Sequence, residues 1–261
     1  MKKRKLPEIK KPIFIIGCCN SGTTILRDTL LQDGGLNGPS IDNHDLDGMP
    51  PIMTHHVCND TFRLWAHPKF QFCNHYTEDD YNEDDAAQVK RVFSQFVLNG
   101  ERLIAKSPAD TLRARLIQAY FPDAYFIAIV RNGYAVSEGI VRKRKYDPER
   151  PQYGSHFTTI EEAAEQWLRA NIMVLSMQKY LQRYLIIQYE DLVNDPERAL
   201  HEVLDFCQIE KAEFSIPTFE TNHNHKQAVR LSEGDGETIT RIAQPMLLHF
   251  GYKLFRKELR W

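Results

Sequence analysis

No stretch of this 261-residue chain approaches 18 consecutive apolar residues, so the sequence offers no membrane-spanning helix. No apolar run precedes Lys11, and without one there is no signal peptide to read; a cytoplasmic setting is the expectation. Cysteine is scarce: five residues, Cys18, Cys19, Cys58, Cys73 and Cys207. An odd number with two side by side does not describe a secreted disulfide framework and implies reduced thiols. An excess of either charge is also lacking. A net charge of −2 sets up no global field toward nucleic acid or an anionic membrane. Basic residues cluster only locally, in Lys2–Lys5, Lys10–Lys11 and Arg142–Lys145. Metal-ligand spacing is missing as well. His55, His56, Cys58, His67, Cys73 and His75 fit neither C-x2-C nor H-x3-H, and no metal is expected. There is no repeat and no low-complexity tract.

What is present suits one α/β domain over 1–261, with a basic tail at 1–11 and a variable excursion at 33–85. At 42% hydrophobic, such a chain buries a full core without staples. Apolar runs predict strands at Ile13–Ile16, Arg102–Ala105, Ala124–Val130 and Tyr184–Gln188. Helices are predicted over Thr23–Gln32, opened by the Ser/Thr cluster, over Ala86–Leu98, Ala109–Tyr120, Ala135–Arg144 and Ile160–Gln182, and over Asp195–Cys207, opened by an Asp cap and Pro196. A last one, Glu237–Phe250, should kink or split at Pro245. The acidic Glu78–Asp85 reads as a solvated lead-in to the second helix, and Glu210–Gly236 as polar and irregular. Asp33–Asp60, rich in Gly, Pro, Asn, Asp and His, reads as a functional excursion.

Strands alternating with helices imply a parallel sheet covered on both faces, with ligands beyond the carboxyl ends of its strands. Three strand ends carry chemistry: Gly17–Thr24, Lys106–Ser107 and Arg131–Ser137. The first, in IFIIGCCNSGTTILRDTL, is a strand, a Gly-x4-Gly turn and a helix start, the layout that points backbone N–H groups at a phosphate. A triphosphate loop would continue with Lys; here Thr23 and Thr24 follow Gly22. No carboxylate closes any of the three leading strands to hold Mg²⁺, and the strand ending at Val130 delivers Arg131 instead. The ligand these residues suit has a terminal phosphate-like group and no metal-bound triphosphate. A glycine turn that only tightens a corner, and an Arg131 that only makes a structural ion pair, stay open at this level. Trp167 in EEAAEQWLRAN reads as core.

The loop, the block KSPADTLRARLIQAYFPDAYFIAIVRNGYAV and the block QYEDLVNDPERAL together resemble the sulfotransferase superfamily, over roughly residues 11–210. The closing QPMLLHFGYKLF is similar to the end of tyrosylprotein-type and bacterial or glycan sulfotransferases. The resemblance implies a P-loop-like three-layer α/β fold and the donor 3′-phosphoadenosine 5′-phosphosulfate (PAPS), with adenosine 3′,5′-bisphosphate as product and no metal. Ser21, Gly22, Thr23 and Thr24 would hold the 5′-phosphosulfate. Asn20 stands where the family usually has Lys or Arg, which leaves Lys106 as the cation beside the transferred group. Arg131 maps to the 3′-phosphate arginine. The family's serine lies eight residues further on, where this chain has Gly139; Ser137 is the available substitute. Tyr189 matches an adenine contact. The base would come from GPSIDNHDLDG, with Asp42 first, His44 second, and Asp45 and Asp47 also available. The acceptor would be a hydroxyl-bearing small molecule, glycan or peptide. Phe62, Trp65, Phe70, Phe72 and Tyr76 would suit a flat acceptor or a satellite core equally well. Two other readings compete: a nucleotide-binding protein of this fold without turnover, and a P-loop kinase.

Overall fold

The computed structural model describes residues 7–32, 35–54, 64–67, 75–143, 158–209 and 223–255. Its strands are β1 (Ile13–Ile16), β2 (Leu36–Asn37), β3 (Arg102–Lys106), β4 (Tyr125–Val130) and β5 (Tyr184–Gln188). They pair in parallel in the order β2-β3-β1-β4-β5. IFII and YFIAIV are buried at every position, as strands covered on both faces must be. Register puts Ile15 beside both Lys106 and Ile127, so β1, β3 and β4 end on one rim. The chain leaves β1 toward β2 on one side and returns over β1 to reach β4 on the other. That reversal of strand order opens a crevice at the end of β1.

Successive strand residues face opposite layers. Ile13, Ile15, Ile104, Ile127 and Ile129 pack against α1 (Thr23–Leu30), α6 (Tyr189–Asn194) and α7 (Pro196–Cys207). Phe14, Ile16, Phe126, Ala128 and Val130 face α2 (Glu83–Ser94), α3 (Ala114–Tyr120), α4 (Gly133–Lys143), α5 (Ile160–Met177) and α9 (Glu233–His249). Each fully buried Ile or Phe contributes about 1.5–3 kcal/mol, which fixes both layers on the sheet. A short helix, α8 (His223–Ala228), lies on α4.

Element bounds depart from the sequence expectation where side chains turn inward or cap. The helix expected from Ala109 is a 3-10 turn, Pro108–Leu112, followed by α3, because Asp110, Thr111 and Arg113 are drawn into the interior. Helix α2 begins early. Asn82 Oδ1 accepts from the Asp84 and Asp85 amides at 2.9 and 3.1 Å, so part of the acidic run becomes the first turn. A negative charge there is favoured by the helix dipole. Helices α1 and α5 end at Leu30 and Met177, short of the expected Gln32 and Gln182. Helix α9 starts at a Ser232/Asp235 capping box and continues through Pro245. Burial of Ile239, Ala243 and Leu247 against the neighbouring layer outweighs the roughly 3 kcal/mol that an interior proline costs.

No helix among the described residues is long and apolar enough to cross a membrane. Among the same residues no three His, Cys, Asp or Glu side chains are grouped to hold a metal ion. His55, His56, Cys58, Cys73, Phe62, Phe70, Phe72, Lys2–Lys5 and residues 146–157 lie outside the described residues. Cys18, Cys19 and Cys207 are free thiols. Burial lifts the Cys18 thiol well above its ordinary value, which leaves it unreactive.

Candidate active site

The turn after β1 is built by backbone geometry that few residues accept. Gly17 has φ +131°, and a Cβ there would stand 2.4 Å from the Ile129 carbonyl oxygen. Gly22 has φ +102°, and its Cβ would meet the Tyr189 ring at 2.6 Å. Asn20 sits in the left-handed region at φ 65°, which Asn tolerates better than a long side chain does. The Gly17 amide donates to Thr111 Oγ1 at 2.9 Å, and that hydroxyl donates to the Pro108 carbonyl at 2.7 Å. Gly22 caps α1 without any side-chain hydrogen bond, so the expected Ser/Thr cap is not formed. The first-turn amides are left for an anion instead.

A cavity of about 340 Å³ opens over this turn. It gathers Asn20, Gly22, Thr23 and Thr24 from the loop, Lys106 from the end of β3, Arg131 from beyond β4 and Asp42 from the excursion. Cys19 of the loop and Lys143 of the basic cluster line it as well, with Gln227, which no motif of the sequence marks. Ser21 and Ser137 are buried and do not line it; neither hydroxyl has a hydrogen-bond partner among the described residues. Gly139, by contrast, adjoins the site, since a Cβ there would lie 3.4 Å from Asn20 Cγ and 3.5 Å from Gln227 Nε2. Tyr189 is buried beneath Gly22, with the Arg131 guanidinium 4.1 Å over its ring.

Arg131 is held on three sides. Its Nε donates to Asn224 Oδ1 at 2.7 Å, Nη1 to the Asn20 carbonyl at 2.9 Å and Nη2 to Gln227 Oε1 at 2.8 Å. Trp167, core as expected, donates Nε1 to the Arg131 carbonyl at 2.9 Å and so fixes the strand end. Burial works against the guanidinium charge, while Tyr189 and Glu190 support it.

Asp42 is carried into the cavity by an excursion pinned at several points. Arg27 of α1 donates to the Pro39 and Ser40 carbonyls at 3.2 and 2.7 Å. Asn43 Nδ2 donates to buried Asp110 at 2.6 Å, and Arg113 donates to the Met53 carbonyl at 2.6 Å. Asp110 and Arg113 form an ion pair sealed from solvent, and burial pushes the Asp110 carboxyl up to about 6. Held this way, Asp42 forms an ion pair with Lys106. Burial and the Asp42 charge raise the neighbouring Asp45 carboxyl above its ordinary value, with Lys106 pulling back. The His44 backbone lies on the same turn, and its side chain lies outside the described part of the structure. Asp47 is exposed.

An uncapped helix start, a buried arginine and a carboxylate–ammonium pair gather around one cavity at the switch point of an α/β protein with a P-loop-like fold. The chain belongs to the sulfotransferase family, whose sequence model matches residues 12–213. Among curated proteins it is similar to the omega-hydroxy-beta-dihydromenaquinone-9 sulfotransferase Stf3 of Mycobacterium bovis and of Mycobacterium tuberculosis. Each is 23% identical over 79% of this chain, which spans 65% of their length. Solved sulfotransferases share the fold. STF9 from Mycobacterium avium superposes with a TM-score of 0.62 at 14% identity, covering 95% of this chain and 79% of that one. The sulfotransferase domain of the curacin biosynthetic pathway gives 0.57 at 18%, covering 95% and 100%. That of the Synechococcus PCC 7002 olefin synthase gives 0.54 at 22%, covering 97% and 100%.

Proposed function

We propose that this protein transfers the sulfuryl group of PAPS to a hydroxyl of its acceptor by in-line displacement. The observation that carries the reading is one cavity holding both an uncapped loop–helix start and a buried arginine, with Lys106 and Asp42 paired on the β3 side of the loop. The residues present fit the donor. Amides of the first α1 turn and the Thr23 and Thr24 hydroxyls suit a 5′-phosphosulfate. A guanidinium has five N–H donors, and three of those on Arg131 are used. One N–H on each of Nη1 and Nη2 remains for a 3′-phosphate. The absence of a triphosphate lysine after Gly22 argues against a kinase.

PAPS, when bound, supplies the activated sulfuryl group. Asp42 takes the acceptor's proton, acting as general base. In the resting pair its charge and that of Lys106 cancel. Proton arrival at Asp42 leaves the ammonium uncompensated, and Lys106 then meets the negative charge developing on the leaving phosphate oxygen. Asn20 offers only a neutral amide there, and Lys106, paired with Asp42, supplies the cation from β3. The names of the mycobacterial relatives specify a hydroxylated dihydromenaquinone, which supports a hydroxyl acceptor for this chain. Titration with adenosine 3′,5′-bisphosphate, AMP and ATP–Mg²⁺ tests the donor. Clear preference for the bisphosphate without magnesium is expected, and equal affinity for AMP would overturn the assignment. With an acceptor found by screening against labelled donor, Asp42→Asn should lower kcat by about two to four orders of magnitude. A severe effect of His44→Gln with a mild one of Asp42→Asn would move the base to the imidazole.

A further inference from the structure

Each of the three acceptors on the Arg131 guanidinium is neutral: one backbone carbonyl and two side-chain amides. No carboxylate among the described residues is in ion-pair contact with it, yet a carboxylate stands one step behind. Glu190 Oε1 accepts from Asn224 Nδ2, and Asn224 Oδ1 faces Arg131 Nε. Glu190 is itself locked, by the Asn132 backbone amide at 3.0 Å and the Tyr252 hydroxyl at 3.0 Å. Burial and the Glu190 charge keep the Tyr252 phenol protonated, well above its ordinary value, so it remains a donor.

We propose that Glu190 is the positioning residue for Arg131 and acts through the Asn224 amide. An asparagine amide has one accepting and one donating end. With its NH₂ committed to Glu190, only its oxygen can face the guanidinium; the flipped amide would set donor against donor. Glu190 therefore selects the orientation that holds Arg131 Nε and leaves the outer N–H pair of Nη1 and Nη2 aimed at the cavity. The amide also acts as a spacer. A carboxylate touching Arg131 directly would neutralise the charge that an incoming phosphate needs, whereas one acting across an amide orients the guanidinium and leaves its charge available. The same contacts explain how polar, six-residue α8 is held at all: Asn224 and Gln227 are its anchors.

The inference rests on the donor reading above, and one set of titrations separates the two. Adenosine 3′,5′-bisphosphate and AMP are titrated calorimetrically into the wild-type chain and into Asn224→Leu, Glu190→Asp, Glu190→Ala and Glu190→Gln. Wild type failing to prefer the bisphosphate overturns the donor reading itself. If it does prefer it, Asn224→Leu and Glu190→Ala should each weaken the bisphosphate at least tenfold and change AMP less than twofold. Glu190→Asp keeps the charge but shortens the reach, and should cost about threefold to tenfold; it is the milder variant if Glu190→Ala does not fold. Glu190→Gln keeps an oxygen for Asn132 and Asn224, so it should restore the preference lost in Glu190→Ala. Unchanged preference in Glu190→Asp, or loss in Asn224→Leu with retention in Glu190→Ala, overturns the relay. So does a failure of Glu190→Gln to restore it, which would make the charge rather than the geometry decisive.

Discussion

Replacing Lys106 with Met should strand the Asp42 carboxylate beside the cavity without its counter-ion. The two side chains are only 9% and 16% exposed, so water can take over just part of the lost interaction. Unit charges about 4 Å apart attract by roughly 4 kcal/mol at an effective dielectric near 20, and desolvation offsets much of that gain. Removing one partner of a fully buried pair costs about 3–5 kcal/mol. The residual access of Asp42 to solvent places Lys106→Met below that, at about 2–3 kcal/mol. Asp42→Asn should cost less, about 1–2 kcal/mol, because the long lysine stem can swing its ammonium toward water. The double variant leaves no unpaired charge and should be more stable than additivity predicts by roughly 2 kcal/mol. Urea unfolding of the four proteins measures this without knowledge of the acceptor. Coupling below about 0.5 kcal/mol would refute the pair as a unit, since solvated charges that merely lie close give no more. Read on turnover, the double variant should be hardly slower than the worse single one, because the two residues act in one step.

Arg131→Ala should cost roughly 2–4 kcal/mol of bisphosphate affinity, the scale of a charged hydrogen-bonded pair losing one member, and leave AMP nearly unchanged; calorimetry decides. Gly139→Ser should fit at ordinary contact distance from Asn20 and Gln227 and tighten the bisphosphate about threefold to tenfold; unchanged affinity would show that this position does not face the 3′-phosphate. Gly22→Ala combines a left-handed backbone with a 2.6 Å approach to Tyr189, and should lower stability by about 1–3 kcal/mol and abolish donor binding. Asp110 carries a pH dependence of known sign. Its carboxyl rises from 3.8 to about 6 on folding, so its stabilising contribution is full below about pH 4 and is lost as pH rises through 6. The wild-type stability relative to Asp110→Asn should fall over that window by up to about 3 kcal/mol; a flat difference in urea unfolding would contradict it.

The strands IFII, YFIAIV and YLIIQ, the turn between Gly17 and Gly22, and Arg131 past the end of β4 were all legible in the sequence. Each depends on local pattern: apolar runs for IFII and YFIAIV, buried at every position, and for the half-buried edge strand YLIIQ, a glycine where the backbone must turn left-handed, a charge where a strand stops. The Asp195 cap and Pro196 start of α7 were legible for the same reason, as neighbours along the chain. What tertiary structure decided lies between residues far apart in sequence. Two-residue β2 has no pattern of its own and exists because β3 offers it an edge. Polar α8 shows no hydrophobic period and is held by Arg131 and Glu190, so Asn224 and Gln227 gave no signal. The Asp42–Lys106 pair spans 64 positions and depends on Arg27, Asn43 and the sealed Asp110–Arg113 pair to bring the excursion back. Ser137 and Gly139 lie two residues apart on α4, and about 100° of helical turn per residue sets one in the interior and the other against Asn20. Spacing along the chain names the groups a site can draw on; only packing of one layer on another decides which of them share a cavity.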